Sequence, residues 1–289
     1  MAIEYLAGNR LRGTSAERLA LAVIGVRLAD SGISKDNLKA YWKFNETSGD
    51  IINQAATVGS THSLGSGADL DVTGASYNQT NTPFNTMNFD GSNDYVQAGT
   101  SLSQFNFLHN GGKWTIACWM EIGDISIEGT VFGNTDGANT HGINILQNGS
   151  NNQAFLFRVF DSGIWINANM GDHGLTNGNP FFVTFTFDPT ESTDKATFYR
   201  DGVEIATANQ SASQGSSSNS PIAFRIARSS GSVYFEVNVS EYSIWNRVLT
   251  DAEISSLYQG APNIQDGAVY YETDTNKSYV LYDGSWSEL

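Results

Sequence analysis

The stretch Ser243-Ile244-Trp245-Asn246-Arg247-Val248-Leu249-Thr250-Asp251-Ala252-Glu253-Ile254-Ser255-Ser256-Leu257-Tyr258 joins two periodicities in sixteen residues. Up to Asn246 it reads as an alternating strand. From Thr250 it reads as a short helix, because a Thr hydroxyl can accept from the amide three residues on while Glu253 reaches back, a capping box. Ile254, Leu257 and Tyr258 then fall on one helical face, and Gly260 with Pro262 stops the element. Much earlier, Asn88-Phe89-Asp90-Gly91-Ser92-Asn93-Asp94-Tyr95-Val96 places a tight-turn Asp-Gly between two short strands.

Between these stretches the strand pattern is continuous. Ala154-Phe155-Leu156-Phe157-Arg158-Val159-Phe160 and Phe181-Phe182-Val183-Thr184-Phe185-Thr186-Phe187 carry the period of two, and Phe198 to Ile205 is a hairpin turning at Asp201-Gly202. The 29 glycines and only 5 prolines suit many short strands joined by polar turns. With 40% hydrophobic and 12% aromatic residues there is material for a large core. Trp42, Trp114, Trp119 and Trp245 read as part of it. Upstream, Thr14-Ser15-Ala16-Glu17 reads as a second capping box, opening an apolar helix to about Ala29. Downstream, two aromatic strands flank Asp274-Thr275-Asn276-Lys277, and such a hairpin needs the main domain or a neighbouring subunit to pack on.

Charge narrows the partners. The chain carries 15 basic and 30 acidic side chains, 15 − 30 = −15, which disfavours nucleic acid. Residues 1–40 hold six basic and four acidic groups, +2, so the remainder is 9 − 26 = −17. A basic, apolar arm on an acidic body is expected to dock onto something. Cys118 is the only cysteine, so no disulfide forms within the chain, and in its strand it reads as a small buried apolar residue. No run is long enough to span a membrane, and Glu4, Arg10 and Arg12 break up any leader-like apolar stretch. Assembly inside a cell, or export by an unrecognised route, follows as the expectation.

Residues 41–260 resemble a laminin-G-like, concanavalin A-like jelly roll. The matching landmarks, in order, are Tyr41-Trp42-Lys43-Phe44-Asn45-Glu46, the Phe89-to-Val96 turn, Trp114 to Trp119, the Phe185-to-Val203 hairpin region and Glu241 to Tyr258. Ser240 stands where many relatives of that fold carry Asp. The resemblance implies an all-β sandwich of two antiparallel sheets. It divides the chain into a helical arm (1–39), the sandwich (40–261) and an aromatic β-hairpin (262–289). The tail, Tyr270 to Trp286, is similar to aromatic hairpins of phage and archaeal-virus structural proteins, and Ile3 to Arg10 is similar to the same set.

Retaining glucanases on this sandwich need two carboxylates about 5–5.5 Å apart. Within a strand that asks for even spacing, and neither Glu236 with Glu241 nor Glu121 with Asp124 has it. The expectation is therefore a protein that is not an enzyme. The four histidines have no metal-ligand spacing. Calcium is the one metal entertained: the resemblance implies loop-bound Ca²⁺, and Asp90, Asn93 and Asp94 supply oxygens for it. A glycan site needs an aromatic face beside amides and carboxylates. Asp136, Asn139 and His141 on one loop, with Trp165, Asp172 and His173 near another, are the candidates.

These readings lead to a self-assembling virion surface, decoration or appendage subunit that displays a lectin-like jelly roll. Its partners would be copies of itself or other virion proteins through 1–39 and 262–289, together with glycans. The alternative is a cell-surface or extracellular carbohydrate-binding adhesin using Ca²⁺.

Overall fold

The computed structural model describes residues 4–6, 10–15, 18, 28, 31–79, 86–98, 102–135, 141–149, 154–161, 164–193, 195–208, 220, 222–228, 233–259, 268–282 and 285–289. The chain opens with β1 (Glu4–Leu6) and β2 (Arg10–Gly13). There follow β3 (Leu38–Trp42), β4 (Leu70–Thr73), β5 (Ser76–Gln79), β6 (Thr86–Asp90) and β7 (Tyr95–Ala98). The longer strands are β8 (Trp114–Ile122), β9 (Gly129–Gly133), β10 (His141–Asn148), β11 (Ala154–Asp161), β12 (Ile164–Asp172) and β13 (Pro180–Phe187). Then come β14 (Ala196–Arg200), β15 (Val203–Ala208), β16 (Arg225–Ile226) and β17 (Glu236–Trp245). A helix, α1 (Asp251–Gln259), precedes β18 (Val269–Glu272), β19 (Ser278–Tyr282) and β20 (Ser285–Glu288).

The chain divides into two compact units. One is Ser34–Ile254; the other joins Met1–Ile33 to Ser255–Leu289. The first is an all-β sandwich, as the resemblance implied. Among the described residues its sheets run β12-β11-β10-β9-β16-β7-β4 and β15-β14-β13-β8-β17-β6-β5, with β3 also paired to β17. The ladders within the sandwich are antiparallel, so alternate residues point inward. Between the sheets Phe132 of β9 meets Tyr242 of β17 at 6.3 Å, and Phe155 of β11 meets Phe185 of β13 at 5.1 Å. Trp42 lies 5.8 Å from Tyr242 and 6.3 Å from Phe224, and its indole N–H donates to Ala68 O at 2.8 Å. Each such ring taken from water contributes about 1.5–3 kcal/mol. All four tryptophans read as core are buried.

The turn chemistry is also as the residues dictate. Asp90 Oδ1 accepts from Ser92 N at 2.8 Å, and Gly91 takes φ +75°. Asp201 and Gly202 both take positive φ, +53° and +77°, as a primed hairpin turn requires. At α1, Thr250 N donates to Glu253 Oε2 at 2.9 Å and Glu253 N to Thr250 Oγ1 at 3.3 Å. Arg247 closes the box with a two-pronged ion pair to Glu253 at 2.8 and 2.9 Å.

The second unit shows what the C-terminal hairpin packs on. Its sheet runs β1-β2-β18-β19-β20, and β18 lies parallel to β2, with Tyr270 opposite Leu11. The buried Tyr270 ring meets Trp286 at 5.7 Å and its hydroxyl donates to Thr14 O at 3.1 Å. Arg18 pairs with the buried Glu272 at 2.6 Å while its guanidinium lies 3.7 Å from the centre of the Tyr279 ring. Ser15 donates through N and Oγ to Asp274 at 2.8 and 2.5 Å, which ties the segment after β2 to the turn between β18 and β19. Most of that expected helix, and the Ser-rich stretch 211–219, lie outside the described residues.

Candidate functional site

Strand register assembles a site that no local motif spells out. Across the outer face of the seven-stranded sheet, Asp71 stands opposite Gln97, Gln97 opposite Arg225 and Arg225 opposite Gly133. Gly133 stands opposite Asn144, Asn144 opposite Arg158 and Arg158 opposite Asn167. The next row inward from the same strands is Val72, Val96, Ile226, Phe132, Ile145, Phe157 and Ala168. Alternation thus sets a polar track on one face directly above an apolar floor. Seven strands at about 4.8 Å make the track roughly 29 Å long.

Gly133 makes a gap in its middle. A Cβ there would lie 2.6 Å from Ile143 O and 3.2 Å from Asn144 Cα, so no side chain fits. Beside the gap two amides are incompletely satisfied among the described residues. Asn144 is 7% exposed and its Oδ1 is buried with no donor. Asn134 is 1% exposed; its Oδ1 accepts from Ile143 N at 3.0 Å, and its Nδ2 is buried with no acceptor. Ser220 Oγ donates to Asn134 O, which holds the strand end in place. A buried donor and a buried acceptor left open cost about 1–3 kcal/mol each.

Further along the face is a cationic, aromatic cluster. Arg228 lies 4.5 Å from the ring centre of Tyr95 and 5.1 Å from that of Tyr234, and Arg225 lies 5.6 Å from Tyr95. Simple alternation would put Arg225 and Arg228 on opposite faces. Ala227, buried and at φ +67°, turns the chain so that both reach Tyr95. A left-handed alanine costs roughly 1–2 kcal/mol. Burial lowers the Arg225 pKa from its usual value, and the neighbouring Arg228 charge lowers it further.

The candidates named from sequence are dispersed relative to this face. Asp136 and Asn139 lie outside the described residues. Trp165 and Asp172 lie on β12 and are described by backbone alone. His141 is half-buried at the start of β10. His173 is wholly buried: its Nε2 contacts Gln147 Oε1 at 2.6 Å, and its Nδ1 accepts from Leu175 N at 2.9 Å. Such a ring supports the loop after β12 and does not face a ligand. Arg225, Asn144 and Tyr95 carry no signal beyond the alternation around each of them, and Arg228 reaches this face only because Ala227 turns the chain.

Asp90, Asn93 and Asp94 do not fit a calcium site. Asp90 Oδ1 is taken by Ser92 N, with Asn93 N at 3.5 Å, and Asp94 Oδ2 accepts from Asp90 N at 3.1 Å. Asp94 is buried against Gly74, and burial, followed by the Asp90 charge, raises its pKa. Among the described residues no group of three or more His, Cys, Asp or Glu is placed to hold a metal ion.

Two carboxylates come near each other between strands and not within one. Glu121 on β8 stands opposite Asn238 on β17, which donates to Glu121 Oε2 at 3.4 Å. The Glu236 side chain leans over Gly123, where a Cβ would meet its Oε1 at 2.4 Å. Glu121 and Glu236 are therefore diagonal neighbours on adjacent strands, a relation that spans about 7–8 Å.

Several solved structures share this fold. A Trypanosoma rangeli sialidase in complex with sialic acid matches with a TM-score of 0.54 and 16% identity, over 83% of this chain and 36% of that one. The binding domain of Paraclostridial mosquitocidal protein 1 matches at 0.57 and 14%, over 86% and 66%. The binding domain of botulinum neurotoxin DC, in complex with rat synaptotagmin II, matches at 0.55 and 14%, over 81% and 53%. The chain spans about a third of the length of the sialidases it matches. No curated protein matches it in sequence. The sialidases overturn the expectation that the chain is not an enzyme, since chains of that name carry this fold alongside toxin binding domains, and fold alone does not separate the two. Residues 90–255, more than half of the chain, match the concanavalin A-like lectin/glucanases superfamily, and the chain belongs to that family.

Proposed function

We propose that this chain is a saccharide-binding module whose ligand lies along the polar track of the seven-stranded sheet. The observation that carries the reading is the pair of unsatisfied amide atoms, Asn134 Nδ2 and Asn144 Oδ1, beside the gap at Gly133. Saccharides are recognised by hydroxyls that bridge such donors and acceptors, and a track of about 29 Å suits several sugar units in a row. Binding domains of the same fold in two toxins support a binding role. Retention of the full chain on a broad glycan array tests it, with Asn144→Ala as the paired variant. Binding by the native chain that the variant loses is the expected result; no retention on any glycan removes the reading.

A second reading concerns display. Both termini are built into one sheet whose outermost strands, β1 and β20, pair on one side only among the described residues. Edge strands of this kind recruit further strands. We infer that this sheet mounts the sandwich on a larger assembly by pairing with other copies, at a virion surface or, alternatively, at a cell surface. Light scattering of the full chain over a hundredfold range of concentration tests this. A defined oligomer is expected, and a monomer throughout refutes it.

A further inference from the structure

The sandwich has a second polar face, on the sheet built around β8 and β17. Val237 and Val239 are buried in the core, so Glu236 and Asn238 turn outward. Across the ladders Asp90 stands opposite Glu236, and Asn238 lies between Asn88 on one side and Glu121 on the other. Three carboxylates thus gather round one amide. Like charges opposed across a ladder destabilise it, and among the described residues neither Glu236 nor Asp90 pairs with a basic side chain. Glycine shapes the cluster. Glu236 leans toward β8 and lies over Gly123, where a Cβ would sit 2.4 Å from its Oε1. The amide is held in one orientation. Asn238 is 6% exposed and its Nδ2 donates to Glu121 Oε2 at 3.4 Å; turned over, it would set its oxygen against a carboxylate. The Oδ1 arm points away from Glu121 and is buried with no donor among the described residues, Asn88 opposite it included.

Asn238 Oδ1 and the Glu236 carboxylate are both acceptors. A neutral hydroxyl would satisfy one of them and leave the gathered charge uncompensated. A metal ion is not matched, since no group of three or more His, Cys, Asp or Glu among the described residues is placed to hold one. A protonated amine brings three donors, no acceptor and a positive charge. We propose that this end of the sheet binds a primary ammonium group, which donates to Asn238 Oδ1 and to Glu236 in the field of Glu121 and Asp90. Amino sugars and polyamines both carry that group. The site is on the other sheet from the polar track and stands independently of the reading given to the track.

The test is calorimetric titration of the full chain with a glucosamine oligomer, cadaverine, tetramethylammonium and Ca²⁺, at low and moderate salt. Thermal melts confirm that each variant is folded. Both amines are expected to bind, to weaken as salt rises, and to lose about tenfold or more with Glu236→Gln. Gly123→Ala keeps every charge but displaces the flexible end of Glu236, and should cost a similar factor. Glu204→Gln, which removes an exposed carboxylate on β15, should leave the affinity unchanged. The tighter of the two amines identifies the source, amino sugar or polyamine, and either supports the site. No binding by either amine overturns the proposal, as does binding that Glu236→Gln leaves intact. An equal loss with Glu204→Gln would assign the binding to diffuse charge and overturn it. Tetramethylammonium, which has the charge without N–H groups, overturns it by binding as well as cadaverine. Ca²⁺ binding more tightly than either amine overturns it in favour of a metal.

Discussion

Replacing Asn144 by leucine should stabilise the sandwich and abolish ligand binding in the same step. The side chain is 7% exposed and its Oδ1 has no donor. An acceptor buried in that state costs about 1–3 kcal/mol, a cost that falls away when an apolar group of similar shape takes its place. Leucine is close to asparagine in outline, so the substitution asks for little repacking. Allowing for imperfect packing, a net gain of about 1 kcal/mol remains. For a unit of 221 residues (254 − 33) that corresponds to a rise in Tm of about 2–4 °C. Scanning calorimetry reads the stability and glycan retention reads the function. A fall in Tm of several degrees would show that Oδ1 is satisfied in the folded protein, which refutes the argument for an open acceptor. A stabilised variant that still binds would refute its role in recognition.

Acid should weaken the sandwich through His109, whose pKa is lowered to about 4 by burial and then by the nearby His141. Because the folded-state value lies below the usual 6.5, the associated stability is complete above pH 6.5 and is lost as pH falls toward 4. The difference of 2.5 units amounts to on the order of 3 kcal/mol, and His109→Gln should flatten that stretch of the stability–pH curve. Cys118 is fully enclosed and burial raises its pKa strongly, so a thiol reagent should label it only after denaturation; prompt labelling of native protein would contradict the packing. In the terminal sheet, burial opposes ionisation of Glu272, but hydrogen bonds from Thr275 and Arg18 win and lower its pKa. Its contribution is therefore present at neutral pH and lost in acid, and Glu272→Gln at pH 7 should reproduce the acid change in Trp286 fluorescence.

Much of the fold is legible in sequence because its causes are local. The Thr250–Glu253 box, the Asp201-Gly202 turn and the alternation of Phe181 to Phe187 involve residues within a few positions of one another, and each appears where its chemistry demands. The landmarks from Tyr41 to Tyr258 likewise led to a sandwich, since that order of strands and turns is itself a local record. The site is another matter. Its residues run from Asp71 to Asn167 and on to Arg225, and only the pairing register brings them into one row.

The same distinction explains what was missed. Loop residues such as Asp136 and His141 drew notice because polar residues crowd there, whereas Arg158 and Arg225 stand singly among apolar neighbours and read locally as strand exteriors. Paired carboxylates are legible only along one strand, whereas Glu121 and Glu236 are diagonal neighbours on two. The terminal segments looked like separate appendages because nothing near Arg10 announces a parallel partner about 260 residues on. From the sequence alone came the strands, the turns, the apolar core and the acidic balance, all products of short-range stereochemistry and composition. Which residues share a face, which termini share a sheet and which charges stand side by side were decided only by tertiary structure, because strand pairing depends on partners far apart in the chain and on a register that, slipped by one residue, would turn every one of these side chains to the opposite face.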